Sequence, residues 1–254
     1  MASIEPYFFR WDEKPDERRI TVANLTSVHG KQVQIDFFPV GLEDFSDGEV
    51  DAFISSSEDG FSPLGLNRDF LKEDLGISSS EWSQIAHHEV FESKVAIIGV
   101  PSQRDNSQLR GLVLTTPGNR SLEDYSGHNG RGWESHDVTY HLTYQAISYA
   151  VRELHAKKIA ISHLTGSGGF NHRTAADHLA ALADVCDDEA ACALSYFAFT
   201  GCCIHFEHLT KAALPSRSHH SRFFSPANHS LSRGTFYDVV TIGLNPPNTD
   251  RFFH

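Results

Sequence analysis

Residues 157–186 constrain the fold most, because an apolar run, a glycine turn and an amphipathic pattern follow one another there. The run Ile159–Leu164 contains β-branched side chains and predicts a strand. The turn Thr165–Gly169 contains three glycines and breaks any regular pattern. Asn171 can cap a helix that begins after it. One face of that helix carries four apolar residues, Ala175, Leu179, Leu182 and Cys186. The segment therefore predicts a strand, a tight turn and a helix.

A glycine turn that leads into a helix has a chemical consequence. Its backbone N–H groups are accessible, and the helix dipole adds partial positive charge, so phosphate or another anion is favoured there. The same turn is also explained by a strand-to-helix connection that needs positive φ and binds nothing. The motif alone leaves both interpretations open.

Composition narrows the class of protein. The 254 residues are 40% hydrophobic and carry a formal net charge of -12. The length allows one large domain or two small ones. The acidic balance argues against broad contact with a nucleic-acid backbone, which requires a basic surface. A local basic pocket for a small phosphorylated ligand remains compatible with it.

Location is predicted from three further features. No uninterrupted apolar run reaches the length of a membrane span. The first residues lack the basic, apolar and small-residue order of a signal peptide. The four cysteines all lie between Cys186 and Cys203 and do not form a spread-out disulfide framework. We therefore predict a cytoplasmic protein.

Strand and helix patterns alternate along the middle of the chain. Strands are predicted at 20–28, 32–40, 50–54, 94–100, 111–115, 159–164, 194–200 and 236–244, and the longer helices at 136–158, after 171, and at 204–214. This alternation predicts an α/β protein with a largely parallel central sheet. Ligands bind such sheets at the carboxyl ends of the strands. Three loops would reach that end, at 55–65, 116–119 and 165–170.

Two stretches and the order of elements resemble a macro domain, the module that binds ADP-ribose and in some members hydrolyses ADP-ribosyl bonds. Val50–Glu58 reads VDAFISSSE, where the family has a strand of the form V-D-A-I-V followed by N-A-A-N. Ile159–Phe170 reads IAISHLTGSGGF, where the family has a strand and then S-T-G-V-Y-G-Y. The chain thus resembles a divergent macro domain over roughly residues 32–200.

The resemblance implies a three-layer macro-like fold with a mixed, largely parallel central sheet flanked by helices. It divides the chain into an N-terminal arm and first strand (1–31), a macro-like core (32–215), and a C-terminal extension with a final strand packed on the same domain (216–254). The chain also departs from the family pattern, because Ser55, Ser56 and Ser57 stand where the family has the asparagines of N-A-A-N. Glu43 or Asp44 would substitute for the acidic residue expected after a glycine.

The implied function is binding of ADP-ribose or a related nucleotide diphosphate. Thr165 and the turn Gly166, Ser167, Gly168 and Gly169 would hold the phosphates through backbone N–H groups. Phe170 would pack on a ribose or base. Ser55 to Ser57 would line the distal end of the ligand.

Other functions remain open. A hydrolase would use Asp59 or His163 to activate water on an ADP-ribosyl or other nucleotide-linked bond. His163 is equally explained as a core histidine. A non-catalytic module that meets a protein partner is a further alternative. Cys202, Cys203, His205 and His208 are metal-capable types, but their spacing matches no standard zinc site. We therefore predict no metal and no cofactor.

Overall fold

The computed structural model describes residues 3–6, 19–39, 41–42, 45, 48–56, 72–81, 96–104, 107–116, 136–162, 172–188, 193–201, 203–213 and 238–241. These residues form nine strands and three long helices. The strands are β1 Ser3–Pro6, β2 Ile20–Thr26, β3 Gln32–Phe38, β4 Ala52–Ser56, β5 Ala96–Pro101, β6 Gly111–Thr116, β7 Lys158–Ile161, β8 Tyr196–Thr200 and β9 Asp238–Thr241. The helices are α1 His136–Arg152, α2 His172–Asp187 and α3 Cys203–Ala213.

All nine strands join one sheet in the order β1-β2-β3-β8-β7-β4-β6-β5-β9. The five strands from β3 to β6 in this order are mutually parallel. At one side β2 pairs antiparallel with β1 and β3, and at the other β5 pairs antiparallel with β6. The predicted mixed, largely parallel sheet of an α/β fold is therefore confirmed.

The two faces of the sheet alternate along each central strand. On one face, Ile54, Val113, Ile161 and Phe199 belong to a core cluster that also includes residues of α1, α2 and α3. On the other face, Phe53, Leu114, Ala160 and Ala198 cluster with Leu42, Val50, Leu75 and Ile77. The central strands are therefore buried on both faces. Such strands need apolar side chains at successive positions, which explains why their sequences are continuous hydrophobic runs.

Most predicted elements lie within a few residues of their observed positions, but α1 is shorter than expected. The pattern predicted a helix over 136–158, whereas α1 ends at Arg152 and Lys158 begins β7. His155 has a positive φ of 55°, and Ala156 N–H donates to Ala150 O at 2.9 Å. This bond, together with the left-handed conformation of His155, turns the chain out of the helix and satisfies one of the last helix carbonyls.

Two turns follow the sequence closely. The β2–β3 hairpin turns at Gly30, whose φ is +76°, and Gly30 N–H donates to Ser27 O at 2.9 Å. Ser78 and Glu81 form the reciprocal hydrogen bonds of a capping box, Ser78 N–H to Glu81 Oε2 at 2.7 Å and Glu81 N–H to Ser78 Oγ at 3.3 Å. A short helix therefore begins in this serine run.

The first strand was not expected. The sequence places Ser3–Pro6 in the N-terminal arm, ahead of the first predicted strand, yet these residues pair with β2 and extend the sheet. At the far side, β9 pairs with β5 and extends it there. The division at residues 31 and 215 stays a prediction.

Candidate functional site

The centre of the sheet holds the point where the connections diverge. Strands β4 and β7 are parallel neighbours, with Ile54 opposite Ile161. From β4 the chain continues to β5 and β6 on one side, and from β7 it continues through α2 to β8 on the other. In parallel sheets a crevice opens where adjacent strands send their connections in opposite directions. The carboxyl ends of β4 and β7 therefore define the candidate site.

The two strands remain in contact up to their last residues. Ser162 N–H donates to Ile54 O at 3.0 Å, and the Ser162 hydroxyl lies 3.4 Å from the Ser55 hydroxyl. Both side chains are buried. Since these serines stand where the two loops leave the sheet, the loops after β4 and β7 begin side by side.

Neighbouring strands also end in small hydroxyl residues. Thr200 is buried at the end of β8, and its hydroxyl donates to Ile161 O at 3.5 Å. Thr115 is buried near the end of β6, and its hydroxyl has no hydrogen-bond partner among the described residues. These side chains are neutral and short. They bring no negative charge to the place where an anion would bind.

Helix α2 starts at this same end of the sheet. It begins at His172, close to the predicted cap at Asn171, and has no acidic residue in its first turn. The glycine turn lies between β7 and this helix in sequence. The partial positive charge of the helix N-terminus therefore faces the end of the sheet where the β7 loop leaves.

A buried polar contact fixes α2 against α1. The Thr143 hydroxyl donates to Thr139 O at 2.7 Å, and it lies 2.6 Å from His178 Nδ1. A hydroxyl has one hydrogen, so His178 Nδ1 must donate in this contact. The His178 ring also packs near Phe199 of β8, with ring centroids 6.1 Å apart. This contact holds the helix that follows the glycine turn in register with the sheet.

The predicted site residues divide between described and undescribed positions. Ser55 and Ser56 are the last two residues of β4, at the carboxyl end where the prediction placed them. The side chain of Ser55 is buried and faces Ser162. The remaining predicted residues lie outside the described residues: Ser57, Asp59, His163, Thr165, Gly166, Ser167, Gly168, Gly169 and Phe170. Their roles stay predictions.

Sequence reasoning missed two residues of this region. Ser162 follows the apolar run directly, and a hydroxyl at the end of a predicted strand is the signal that could have indicated it. His178 carried no such signal, because a histidine within an amphipathic helix reads as a surface residue. Only its burial and its contact with Thr143 distinguish it.

Asp51 lies far from the serine run that it precedes in sequence. Its carboxylate accepts hydrogen bonds from Lys157 N–H at 3.0 Å and Lys158 N–H at 2.8 Å, at the start of β7. It therefore stands at the amino end of the sheet and takes no part in the candidate site.

Metal-binding groups and membrane-spanning helices are both absent from the described residues. No group of three or more His, Cys, Asp and Glu side chains capable of holding a metal ion occurs within the described ranges. No helix in the same ranges is long and apolar enough to cross a membrane. Cys202 lies outside the described residues.

Solved structures show which known fold this mixed, largely parallel α/β sheet resembles. A point mutant of the Oceanobacillus iheyensis macrodomain matches with a TM-score of 0.50, 11% identity, and coverage of 77% of this chain and 91% of that chain. This likeness shows that the chain has a macrodomain fold, as the stretches Val50–Glu58 and Ile159–Phe170 predicted.

Two further matches were found. The Oceanobacillus iheyensis macrodomain with ADP has a TM-score of 0.49, 11% identity, and coverage of 77% of this chain and 96% of that chain. The Trypanosoma brucei macrodomain in complex with ADP has a TM-score of 0.48, 12% identity, and coverage of 71% and 69%. No protein-family profile matches the sequence. No curated protein matches it.

Proposed function

We propose that this chain binds ADP-ribose or a related nucleotide diphosphate in the crevice between the loops that follow β4 and β7. The carrying observation is the contact between Ser55 and Ser162, which places the beginnings of these two loops side by side at the point where the connections diverge. The macrodomain fold and the resemblance of both loops to that family supply the ligand class.

The proposed roles follow the order of the chain. Backbone N–H groups of Gly166, Ser167, Gly168 and Gly169, beside Thr165, hold the diphosphate at the N-terminus of α2. Phe170 packs on a ribose or base. Ser55, Ser56 and Ser57 line the distal end of the ligand.

The electrostatics of the described residues support an anionic ligand. The chain carries a net charge of -12, so an anion is repelled by the protein as a whole. The strand ends around the crevice are neutral hydroxyls, and α2 begins without an acidic side chain. The described strand ends and the first turn of α2 therefore bring no carboxylate to the place where backbone N–H groups and the helix dipole would hold an anion.

Calorimetric titration with ADP-ribose tests the proposal. The wild type should bind in about the micromolar range, near -8 kcal/mol, and Gly168→Glu should abolish the heat, since a side chain and a negative charge then occupy the phosphate position. Gln32→Glu is the matched control, because it adds the same charge at an exposed residue at the start of β3. It should bind as the wild type does.

Two outcomes would overturn the proposal. The first is a wild type that gives no heat with ADP-ribose or ADP. The second is a Gly168→Glu variant that binds as well as the wild type with its circular dichroism spectrum unchanged. The latter would move the ligand away from the glycine turn.

Hydrolysis of an ADP-ribosyl or other nucleotide-linked bond stays a prediction from sequence. Its candidate residues, Asp59 and His163, lie outside the described residues. Release of ADP-ribose from a modified peptide, lost in Asp59→Asn and His163→Ala, would add catalysis to binding.

We also propose a cytoplasmic location, from the clustering of all four cysteines between Cys186 and Cys203.

A further inference from the structure

A second concave site lies at the amino end of the sheet, opposite the proposed nucleotide crevice. Its volume is about 370 Å³, within the range of small-molecule pockets. It is formed where β4, β6 and β7 begin, together with the turn between β5 and β6. Six residues line it: Gly48, Asp51, Ser107, Gln108, Arg110 and Lys158.

Asp51 is the one acidic residue among the described residues that line the pocket, and the fold already engages its carboxylate. The Asp51 carboxylate accepts from the backbone N–H groups of Lys157 and Lys158, at 3.0 and 2.8 Å. It also faces Arg110, with 3.9 Å between Oδ2 and Nε. These contacts offset most of the negative charge of Asp51, so it does little to repel an anion that enters beside it.

The two cations of the pocket retain donors. Lys158 Nζ donates to Gly48 O at 2.9 Å, and an ammonium group has three N–H bonds. The Arg110 side chain is 44% exposed, and in the described part of the chain it pairs with Asp51 alone. A guanidinium has five N–H donors in a planar fork that fits carboxylate or phosphate oxygens. Within the described ranges, Arg110 and Lys158 therefore keep donors that line one cavity and are not used by another residue.

The walls of the pocket are held in place. Gly48 has a φ of +79°, and a Cβ at this position would overlap the Gln108 amide, so glycine permits the two segments to meet. The Ser107 hydroxyl donates to Asp74 O at 3.4 Å and accepts from Leu109 N–H at 3.1 Å. Gln103 N–H donates to Leu75 O at 2.8 Å, which joins the same turn to residues 72–81. Ligand binding here would therefore need little ordering of the backbone around the pocket.

We propose that this pocket is a second anion site, which takes a small molecule bearing a phosphate or carboxylate group. Arg110 and Lys158 supply its positive charge, and Gln108 and Ser107 supply polar contacts. The site is independent of the nucleotide crevice, because it lies at the opposite end of the same parallel strands. A net local charge of one positive unit on an acidic chain makes it a distinct electrostatic feature.

The test follows backbone amide chemical shifts in the full chain during titration with inorganic phosphate and, separately, with citrate. Saturable shifts should appear at residues 107–110 and at Lys158. Arg110→Gln and Lys158→Gln should each weaken the affinity about tenfold or more, because each removes a charge-assisted contact. Lys211→Gln is the control. It removes an exposed cation of α3 whose ion pair with Glu207 is local, and it should leave the affinity unchanged.

Gly168→Glu separates this site from the proposed nucleotide site. Shifts at residues 107–110 that persist in Gly168→Glu support the second site, whether or not ADP-ribose binds elsewhere. Three results would overturn it: no saturable shift with either probe, shifts confined to the glycine turn, or an affinity that Arg110→Gln leaves intact. Response to phosphate alone or citrate alone identifies which group the pocket accepts.

Discussion

At the amino end of the sheet, charged side chains bind backbone groups of neighbouring segments and one another, whereas at the carboxyl end the described strands finish in small neutral hydroxyls. Asp51, Arg110 and Lys158 stand where β4, β6 and β7 begin. Ser55 and Ser162 stand where β4 and β7 lead into their loops. The same strands therefore present opposite chemistries at their two ends.

This difference indicates that the amino end of the sheet serves mainly stability and the carboxyl end mainly binding. Hydrogen bonds from backbone N–H groups to a carboxylate are strong, so the amino end contributes to holding the strands in register. The contact between the Ser55 and Ser162 hydroxyls, at 3.4 Å, contributes less to stability. These side chains are short and uncharged, so they leave room for the loops and a ligand. We therefore expect substitutions at the amino end to change the free energy of unfolding, and substitutions at the carboxyl end to change affinity.

The largest effect is expected for Asp51→Ala. The change leaves Lys157 N–H and Lys158 N–H without their acceptor, and we expect a loss of about 3 kcal/mol in the free energy of unfolding. Asp188→Ala is the control, because it removes a more exposed ion pair with Arg152 and should cost about 1 kcal/mol or less. Urea unfolding measures both. Equal losses in the two variants would show that the Asp51 contacts stabilise the fold no more than an exposed ion pair does.

A second prediction concerns Thr143→Val in the helix layer. Valine keeps the shape of threonine but leaves His178 Nδ1 without the acceptor that the structure shows, so we expect a loss of about 2 kcal/mol. Thr210→Val is the control, since the Thr210 hydroxyl bonds only the backbone of its own helix. Urea unfolding again gives the values. A loss no greater than in Thr210→Val would show that the buried contact does not hold α2.

A third prediction uses pH. Burial, followed by the nearby Asp36 carboxylate and its hydrogen bond, raises the pKa of Tyr196 above its ordinary value. The unfolded phenol ionises near pH 10 while the folded one stays neutral, so this stability is complete below about pH 10 and falls as pH rises above it, by up to about 1.4 kcal/mol per unit. Tyr196→Phe should reduce the slope between about pH 10 and 11.

Tyr140 provides the matched comparison for that experiment. Burial first, and then its hydrogen bond to Asp184, raise the pKa of Tyr140 in the same direction. Tyr140→Phe should therefore reduce the alkaline slope to a similar extent, although this residue joins α1 to α2 and not two strands. Urea unfolding curves at three alkaline pH values give the slope of the free energy of unfolding against pH for each variant. A slope unchanged in both variants would contradict the burial of these phenols.

The smallest effect on stability is expected for Ser55→Ala. Alanine occupies the same space, and the hydroxyl contact with Ser162 is long, so the free energy of unfolding should change by about 1 kcal/mol or less. Affinity for ADP-ribose should fall more than that change alone would produce. Calorimetry beside urea unfolding gives the two numbers. A large stability loss with unchanged affinity would reverse the assignment of the two ends.

Much of the fold was readable from residue patterns. Strands β2 to β8 and the helices α1 to α3 all fall where periodicity placed them, because unbroken apolar runs and helical stripes are local properties of the sequence. The strand β1 was missed, since four mixed residues carry no period and pair only because β2 offers a free edge. The end of α1 was placed too late, because a histidine closes the helix where the pattern offered no glycine.

The candidate site was predicted in part. The serines after Val50–Ile54 and the glycine turn after β7 were identified as facing loops from their position after strands. His178 and Ser162 were not, because burial and a partner on another element have no counterpart in local sequence. Asp51 lies a few residues before Ser55 in sequence, yet β4 carries the two residues to opposite ends of the sheet.

By itself, the sequence determined most of the strands and helices, with β1 and the end of α1 as exceptions, and it places a glycine-rich segment before α2, since both depend on neighbouring residues. Tertiary structure decided that β4 and β7 are neighbours and that their loops begin together. It also decided that Asp51, Arg110 and Lys158 meet at the opposite end. These contacts join residues about 60 to 110 positions apart, and pairing at such separations depends on how the whole sheet forms.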